Sequence, residues 1–259
     1  VADCHGYNVL VISSNESFQK EQKSVEVLMA NRADGIILAL SHETKDYEHI
    51  KMIQESGTPI VLFDRTTNEL NVSRVVTDGV TAAFQAVQHL VSEGCQKIAL
   101  LCGPENVGIG GNRMEGYEKA MEANHLPAKP ELICHCSDFT VEAGKEATRQ
   151  LLSRKERPDA IFGITDDLAI GAIEAIKEKG LNIPEDIAIV GFSNTKRSRY
   201  MNPTVSSINQ FPEKIGRAAA ELLFDQILNS KHAQIKKEII NCELIVRESS
   251  DRRCRHDRC

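Results

Sequence analysis

The segment Ile187-Ala188-Ile189-Val190-Gly191, followed by Phe192-Ser193-Asn194, is the most informative part of this 259-residue sequence. Four apolar residues and a glycine precede a polar turn, which is the pattern of a short strand buried within a parallel sheet. The carboxyl end of such a strand opens onto a loop, and in open α/β sheets ligands bind at that edge. We therefore expect this segment to lie at a ligand-binding edge.

Similar apolar runs recur along the chain and alternate with helical patterns. The alternation predicts an α/β fold in which parallel sheets are flanked by helices. Gly57, Gly94 and Gly180 each follow a helical pattern, where a residue with positive φ closes the helix. The predicted strands are 8–13, 35–40, 60–63, 97–102, 160–164 and 187–191, and the predicted helices are 18–31, 47–56, 80–93, 113–124, 141–153, 166–179 and 212–228.

Composition limits the class of protein. The sequence is 41% hydrophobic and 26% charged, which is ordinary for a soluble globular protein. No apolar run reaches membrane-spanning length and no signal peptide is visible, so we expect a cytoplasmic protein without membrane contact. The mature form of an exported protein would share this pattern. The net charge of −6 argues against a chain built as a whole to neutralise phosphates.

Eight cysteines are spread over the sequence, and Cys102 ends a predicted strand, where a small apolar side chain fits. This distribution favours free thiols in a reducing compartment over a disulfide framework. The runs 134–136 and 254–259 place soft ligands close together, but neither has an established zinc spacing. We expect no metal, with a metal site as the alternative. Residues 251–259 contain four arginines and predict a solvated tail, with a nucleic-acid-binding arm as the alternative.

Motifs for catalysis are absent from the sequence. It contains no Gly-x-Ser-x-Gly elbow, no His-Glu-x-x-His and no phosphate-binding loop, and the loop 108–111 lacks the dinucleotide-binding spacing. The histidines are scattered, and we interpret those at positions 5, 42, 49, 89, 125 and 232 as surface or capping residues. We therefore expect no enzyme, no catalytic residue and no cofactor.

Many short motifs, each weak alone, occur in a specific order. They are Gly6-Tyr7, Asp34-Gly35-Ile36-Ile37, Pro59 to Arg65, Val76-Thr77-Asp78, Ile98 to Pro104, Arg113-Met114-Glu115-Gly116-Tyr117, Thr165 to Gly171, Pro184-Glu185-Asp186-Ile187, Val190 to Asn194, Asn202 to Gln210 and Leu244 to Ser249. Their order and spacing resemble the LacI/GalR family of bacterial transcriptional regulators. That family has a periplasmic-binding-protein-like core, in which a small molecule binds between two similar Rossmann-like lobes.

The resemblance implies a division of the chain. A first lobe would comprise residues 1–79 and 209–238, and a second lobe residues 80–208 and 239–250. Three crossovers would join them near 78–80, 208–210 and 237–239. Family members also carry a strand, a hinge helix and a helix-turn-helix domain ahead of the position of Gly6. The sequence is therefore expected to represent the effector-binding core without these parts.

The resemblance also implies partners. A small-molecule effector, a homodimer with residues 47–56 at its contact, and operator DNA bound through the helix-turn-helix domain are expected. No segment of this sequence combines a helix-turn-helix pattern with base-reading residues. We therefore do not expect this chain to read operator DNA by itself.

Asp64 and Arg113 are the first candidate ligand contacts. Asp64 ends a predicted strand and Arg113 opens a predicted helix after a glycine-rich loop, so each is expected to project into a cleft at the loop end of its sheet. A carboxylate and a guanidinium suit a sugar, because charged groups make the stronger hydrogen bonds and arginine offers a two-pronged donor. In the family these positions contact the effector. The alternative is a turn cap for Asp64 and a surface ion pair for Arg113.

Five further contacts are implied by the resemblance. Phe139 falls where the family often has an aromatic that stacks on a sugar ring, and a core residue is the equal alternative. Thr165-Asp166 stands where the family usually shows Asn-Asp, and Ser193 where it usually shows Asp. These departures weaken the transfer of any known family effector to this chain. Gln210, at the end of the second crossover, completes the predicted contacts.

Three classes of function remain open at this point. The leading interpretation is the ligand-sensing core of a cytoplasmic LacI-type regulator that binds a sugar or a sugar derivative. The alternative is a soluble sugar-binding receptor of a transport system, which shares the two-lobe architecture. A Rossmann-type enzyme is third and lacks its phosphate-binding fingerprint. The cysteine content, the lack of a visible signal peptide and the motif at 205–210 favour the regulator.

Overall fold

The computed structural model describes residues 1–104, 109–229 and 234–252. Short 3-10 helices cover Asp3–His5 and Pro130–Leu132. The α-helices are α1 (Phe18–Ala30), α2 (Glu48–Glu55), α3 (Gly79–Ser92), α4 (Ile109–Ala123), α5 (Val141–Ser153), α6 (Asp166–Glu178), α7 (Lys196–Tyr200) and α8 (Pro212–Leu228). The strands are β1 (Ile36–Leu38), β2 (Ile60–Phe63), β3 (Ser73–Thr77), β4 (Ile98–Cys102), β5 (Ile133–His135), β6 (Ala160–Gly163), β7 (Ala188–Phe192), β8 (Ser206–Asn209), β9 (Lys237–Ile240) and β10 (Glu243–Ile245).

The chain forms two compact units and passes between them three times. The first unit contains Val1–Thr77 and Phe211–Ile240, and the second contains Asp78–Gln210 and Asn241–Cys259. The predicted lobe limits after residues 79, 208 and 238 each lie two residues from these limits, after residues 77, 210 and 240.

The first unit has a four-stranded parallel sheet in the order β1-β2-β3-β9. Because side chains alternate along a strand, Leu62 and Val61 enter different hydrophobic clusters. Leu62 packs with Ile50 and Ile53 of α2, and Val61 packs with residues of α8. Helices therefore cover both faces of this sheet, as the α/β pattern predicts.

The second unit has a six-stranded sheet in the order β10-β8-β7-β6-β4-β5, in which only β10 is antiparallel to its neighbour. One large core surrounds it, and β4, β6 and β7 are buried along their full length. Strands enclosed by helices on both sides need apolar residues on both faces. The uninterrupted apolar runs in the sequence meet that need.

Two glycines allow α5 and α6 to cross closely. A Cβ atom on Gly171 would lie 2.1 Å from the carbonyl oxygen of Val141, and a Cβ on Gly144 would lie 2.5 Å from the carbonyl oxygen of Leu168. No side chain fits in these spaces. The backbones of the two helices therefore meet directly beside the sheet.

The predicted strand at 8–13 is wrong. In the described chain these residues pair with no strand, and Val9, Leu10 and Val11 are 71%, 60% and 84% exposed. A strand needs a neighbour for its backbone groups, and no ladder reaches this segment. The remaining predicted strands and all predicted helices form, with small shifts of their ends. Strands β3, β5, β8, β9 and β10 and the short helix α7 were not among the predicted elements.

The tail is also ordered further than predicted. The Arg252 backbone amide donates to the Glu93 carboxylate at 3.0 Å, and its guanidinium donates to the carbonyl oxygens of Pro184 and Asp159, each at 2.9 Å. These bonds hold the chain to the amino end of the second sheet, so residue 252 does not belong to a solvated tail. The other arginines and cysteines of 253–259 lie outside the described residues.

Candidate functional site

Most of the predicted contacts lie at one edge of the second unit. Strands β8, β7, β6 and β4 are consecutive neighbours and parallel, so their carboxyl ends share one edge of the sheet. Gln210, Ser193 and Thr165 follow the ends of β8, β7 and β6. Arg113 reaches the same edge from α4, since it contacts the residues that end β7 and follow β6. The structure thus brings these four side chains to the edge where α/β sheets bind ligands.

Arg113 lies over an aromatic ring. Its guanidinium carbon lies 3.8 Å from the ring centroid of Phe192, and its Nη1 donates to the carbonyl oxygen of Ile164 at 2.5 Å. Phe192 and Ile164 are fully buried, so the support behind the guanidinium is rigid. Arg113 lies in the second turn of α4, not at its start as predicted, because the helix already begins at Ile109.

Phe139 takes the core position, which was one of the two roles that the sequence left open. It is half-buried and packs against the core of the second unit. Its ring lies directly on Gly103, just after β4, where a Cβ atom would approach the ring Cε1 to 2.2 Å. Only a glycine permits this approach, so the ring covers the end of β4.

Thr165 and Asp166 begin α6 and are engaged within the protein. The Thr165 hydroxyl accepts a bond from the amide of Leu168 at 3.3 Å and caps the helix. Asp166 is 1% exposed. One of its carboxylate oxygens accepts from the Ser207 hydroxyl at 2.5 Å and the other from the Thr195 amide at 2.6 Å. The carboxylate therefore faces the protein interior.

Ser193 and Gln210 contact each other. The Ser193 hydroxyl donates to Oε1 of Gln210 at 3.0 Å, and the Ser193 amide donates to the carbonyl oxygen of Ile208 at 2.9 Å. Both side chains are partly exposed. Ser193 has a φ of 115°, and Asn194 has a φ of 49°, so this turn is in a conformation that residues with a Cβ rarely adopt.

Arg247 was quoted only as part of a motif, and the structure gives it a defined place. Its Nη2 donates to Oδ1 of Asn194 at 2.7 Å, and its Nη1 donates to the carbonyl oxygen of Val205 at 2.5 Å. Burial, assisted by the charge of Arg199, lowers the pKa of Arg247, and Asp166 opposes that shift. No local pattern in the sequence indicates this role, because Val205 and Asn194 lie 42 and 53 residues away from Arg247.

Asp64 belongs to the first unit. It is exposed, directly follows β2 and has a φ of 56°. Its neighbour Arg65 donates through Nε to the carbonyl oxygen of Leu40 at 2.6 Å and pairs with Glu16 at 2.5 Å. Asp64 therefore stands at the carboxyl edge of the first sheet, beside a turn that other residues hold.

A buried Glu21–His49 pair in the first unit corrects one prediction. His49 is 5% exposed and lies 2.8 Å from Glu21, which is fully buried, so His49 is neither a surface nor a capping residue. Glu21 also accepts from the Ser41 amide at 2.5 Å and from the Thr44 hydroxyl at 3.0 Å. Burial raises the pKa of Glu21, but these hydrogen bonds outweigh it and the pKa is lowered. His232 lies outside the described residues.

Among the cysteines of the described ranges, Cys4, Cys95, Cys134 and Cys136 are free thiols. Cys102 is buried at the end of β4, as predicted, and its sulfur lies 3.5 Å from Nδ1 of His135. Burial raises the pKa of Cys136 to about 12. Within residues 1–104, 109–229 and 234–252, no three metal-ligating side chains are grouped to hold an ion. No helix in the same ranges is long and apolar enough to span a membrane.

Comparisons with known proteins agree with this architecture. The family model described as a periplasmic binding protein-like domain matches residues 87–250. The HTH-type transcriptional repressor CytR of Escherichia coli (strain K12) is 33% identical over 246 residues, which cover 95% of this chain and 71% of the repressor. The transcriptional regulator CelR, solved in complex with cellobiose, has a TM-score of 0.80 and 31% identity over 90% of this chain and 71% of its own.

A LacI family transcriptional regulator from Enterococcus faecium, solved with bound ribose, has a TM-score of 0.78 and 25% identity over 89% of this chain and 84% of its own. The two α/β units thus define a periplasmic-binding-protein-like core. The chain belongs to the LacI/GalR family of transcriptional regulators and corresponds to its effector-binding core.

Proposed function

We propose that this chain is the ligand-sensing core of a cytoplasmic LacI-type repressor and that its effector is a sugar or a sugar derivative. Effector binding would control DNA binding through a helix-turn-helix domain of the full-length regulator. The family assignment supports the regulatory role, and CytR is named as an HTH-type transcriptional repressor. Bound cellobiose and ribose in two structural relatives support a carbohydrate.

The position of Arg113 over Phe192 is the observation that carries this proposal. The guanidinium lies 3.8 Å from the centroid of a buried ring and donates to the carbonyl oxygen of Ile164, and these two contacts restrain it. A restrained, planar donor suits the two-pronged hydrogen bonding that neighbouring hydroxyls offer, and less ordering is needed when the ligand binds. The neutral Ser193–Gln210 pair at the same edge of the sheet can donate to and accept from ligand hydroxyls.

The remaining predicted contacts have complementary chemistry. The Phe139 ring over Gly103 provides an apolar face for the C–H face of a sugar ring. The Thr165 hydroxyl accepts a bond from the Leu168 amide and can in addition donate a hydrogen bond to a ligand hydroxyl. In the first unit, the exposed carboxylate of Asp64 can accept hydrogen bonds from hydroxyls. We propose all three as effector contacts.

Isothermal titration calorimetry against monosaccharides, disaccharides, sugar phosphates and nucleobases tests the proposal. We expect one of the carbohydrates to bind, and Arg113→Ala to weaken that binding roughly 10- to 150-fold, because a charged hydrogen bond contributes about 1.5–3 kcal/mol. The matched control is Arg149→Ala. It removes an exposed arginine of α5 that forms an ion pair with Glu178 of α6. Equal affinity of the Arg113 variant and this control would exclude Arg113 from the site, and binding confined to nucleobases would exclude a carbohydrate effector.

We also propose that the protein is a homodimer with α2 at the contact. Met52 on this helix is 63% exposed, which suits an apolar contact between copies. Closed two-fold dimers are the commonest assembly of such proteins. Sedimentation velocity should show a dimer at micromolar concentration for the unmodified protein and a monomer for Met52→Glu. An unchanged dimer in the variant would place the contact elsewhere.

A further inference from the structure

A buried hydrogen-bond network lies behind the candidate site and is not explained by the predicted contacts. Asp166 and Ser207 are its centre, with exposed fractions of 1% and 0%. The Ser207 hydroxyl donates to one Asp166 oxygen at 2.5 Å and accepts from the Asn194 amide at 2.9 Å. The other Asp166 oxygen accepts from the Thr195 amide at 2.6 Å. The buried Asp166–Ser207 pair therefore accepts hydrogen bonds from two consecutive backbone amides after β7, those of Asn194 and Thr195.

Asn194 is also held through its side chain. Arg247 donates to the Asn194 Oδ1 at 2.7 Å, so both the backbone and the side chain of this residue are tied to the second unit. Asn194 and Ser193 have φ values of 49° and 115°. A conformation that is unfavourable for residues with a Cβ persists only where the surroundings determine it fully. The hydrogen bonds to Ser207, Asp166 and Arg247 hold the turn in this conformation.

The position of Asp166 also explains Gly191. A Cβ atom on Gly191 would lie 2.5 Å from Oδ1 of Asp166, so the carboxylate approaches the backbone of β7 directly. Phe192, the next residue, supports Arg113 at 3.8 Å, and Ser193, the residue after it, donates to Gln210 at 3.0 Å. The network thus lies directly beneath two of the proposed effector contacts.

We infer that Asp166 and Ser207 are positioning residues that hold the turn 193–195, and that Asp166 does not contact the effector. The expected effect on ligand binding rests on the proposed function, in which this turn presents Ser193 to the ligand. It replaces the sequence-based assignment of Asp166 as a contact. A carboxylate with an exposed fraction of 1% and with both oxygens accepting protein donors faces away from any solvent-borne molecule.

The experiment compares Ser207→Ala, Ser207→Thr and Asp166→Asn by amide hydrogen exchange, measured by NMR on the unliganded protein. Ser207→Ala removes the acceptor of the Asn194 amide and the hydroxyl that holds Asp166. We expect exchange at Asn194 to become roughly 10-fold faster or more, and exchange at Thr195 to become faster because its acceptor Asp166 is held less firmly. Ser207→Thr keeps the hydroxyl and should restore slow exchange. Asp166→Asn should accelerate exchange at Thr195.

Thr148→Ala is the matched control. Thr148 is also fully buried in the second unit and donates to the carbonyl oxygen of Gly144 at 2.8 Å within α5. Its removal should lower stability without changing exchange at 194 and 195. Unchanged exchange at these amides in both Ser207→Ala and Asp166→Asn would overturn the inference. Equal acceleration by Thr148→Ala would show that the faster exchange reflects a general loss of stability. That result would also overturn the inference.

A parallel titration with cellobiose and with ribose separates this inference from the proposed function. If either sugar binds, its affinity should fall in Ser207→Ala and recover in Ser207→Thr. If Asp166→Asn abolishes sugar binding while exchange at Thr195 stays slow, Asp166 is a direct contact and the inference fails. If neither sugar binds the unmodified protein but the exchange pattern holds, the positioning role stands and the carbohydrate proposal loses support.

Discussion

Residues 9–12 and residues 98–101 are both fully apolar, but only the second run forms a buried strand. The first run is Val-Leu-Val-Ile and the second is Ile-Ala-Leu-Leu. The second run lies in β4, fully buried between β5 and β6. The first run pairs with no strand in the described chain, and Val11 is 84% exposed. An apolar run has the capacity to form a strand, but only neighbours on both sides of it satisfy the backbone and remove the side chains from water.

The same contrast extends to the helix starts of the two units. In the second unit the residues preceding α3, α5, α6 and α7 each accept a bond from a backbone amide of the first turn through their side chains. In the first unit the residues preceding α1, α2 and α8 do not. At these helix starts, the backbone amides are therefore capped by side chains in the second unit but not in the first. Four pairs of variants measure the contributions of core burial, a buried carboxylate, close helix packing and helix capping.

The largest effect should come from the two apolar runs themselves. Leu100→Ala, at a position with 0% exposure, should lower the free energy of unfolding by about 2–5 kcal/mol, because it removes buried methyl groups and leaves a cavity. Val11→Ala should change it by less than about 0.5 kcal/mol, because the side chain is already in water. Urea titrations monitored by circular dichroism measure both. A large loss in the Val11 variant would show that this run is buried in solution.

The next effect concerns the buried carboxylate of the first unit. Glu21→Gln should cost about 1–3 kcal/mol or more at neutral pH, because one amide cannot accept the bonds of the Ser41, Thr44 and His49 donors together. The control is Glu55→Gln, at an exposed position of α2. Scanning calorimetry at several pH values measures the loss.

The pH dependence of the same variant has a definite sign. Because the pKa of Glu21 is lowered in the folded protein, the unfolded chain binds the proton first as the pH falls. The contribution is present above the ordinary pKa of about 4.5 and is lost as the pH falls through the folded value. The difference between the unmodified protein and Glu21→Gln should therefore shrink in acid. A difference that stays constant down to that range would contradict the assignment.

A smaller effect is expected at the crossing of α5 and α6. Gly171→Ala should destabilise the second unit by about 1–3 kcal/mol, because the new Cβ would meet a backbone carbonyl oxygen at 2.1 Å. Gly216→Ala in α8 of the first unit has nothing within 4 Å and should stabilise its helix by about 1 kcal/mol. Thermal melts of the two variants should move in opposite directions. Stabilisation by both variants would show that helix propensity, not contact, dominates at both positions.

The smallest effect should come from the helix caps. Thr140→Ala removes the hydroxyl that accepts from the Ala143 amide at 3.2 Å and should cost about 1 kcal/mol. Ser17→Ala, ahead of α1, has no such bond to lose and should cost much less. Urea titration of both variants measures the difference. Equal losses would mean that the caps do not distinguish the units.

The candidate site was only partly predictable. Arg113, Thr165, Ser193 and Gln210 reach one edge of a sheet because parallel strands end there, and strand ends can be predicted from apolar runs that stop at polar residues. The support of Arg113 by Phe192 joins residues far apart in sequence, and no local pattern announces it. The enclosure of Asp166 by Ser207 and Thr195 is equally nonlocal. It underlies our inference that this charged residue supports the turn and does not contact the ligand.

The sequence by itself determined the alternation of strands and helices, the glycine ends at residues 57, 94 and 180 with φ of 78°, 87° and 70°, and the membership in the family. These features depend on local periodicity, on backbone freedom at single residues and on motif order. Tertiary structure alone decided that residues 8–13 pair with no strand, that His49 is buried against Glu21, and that Asp166 faces inward. Each of these outcomes depends on whether a partner from a distant segment is present, because backbone and polar groups keep their bonds to water until such a partner replaces them.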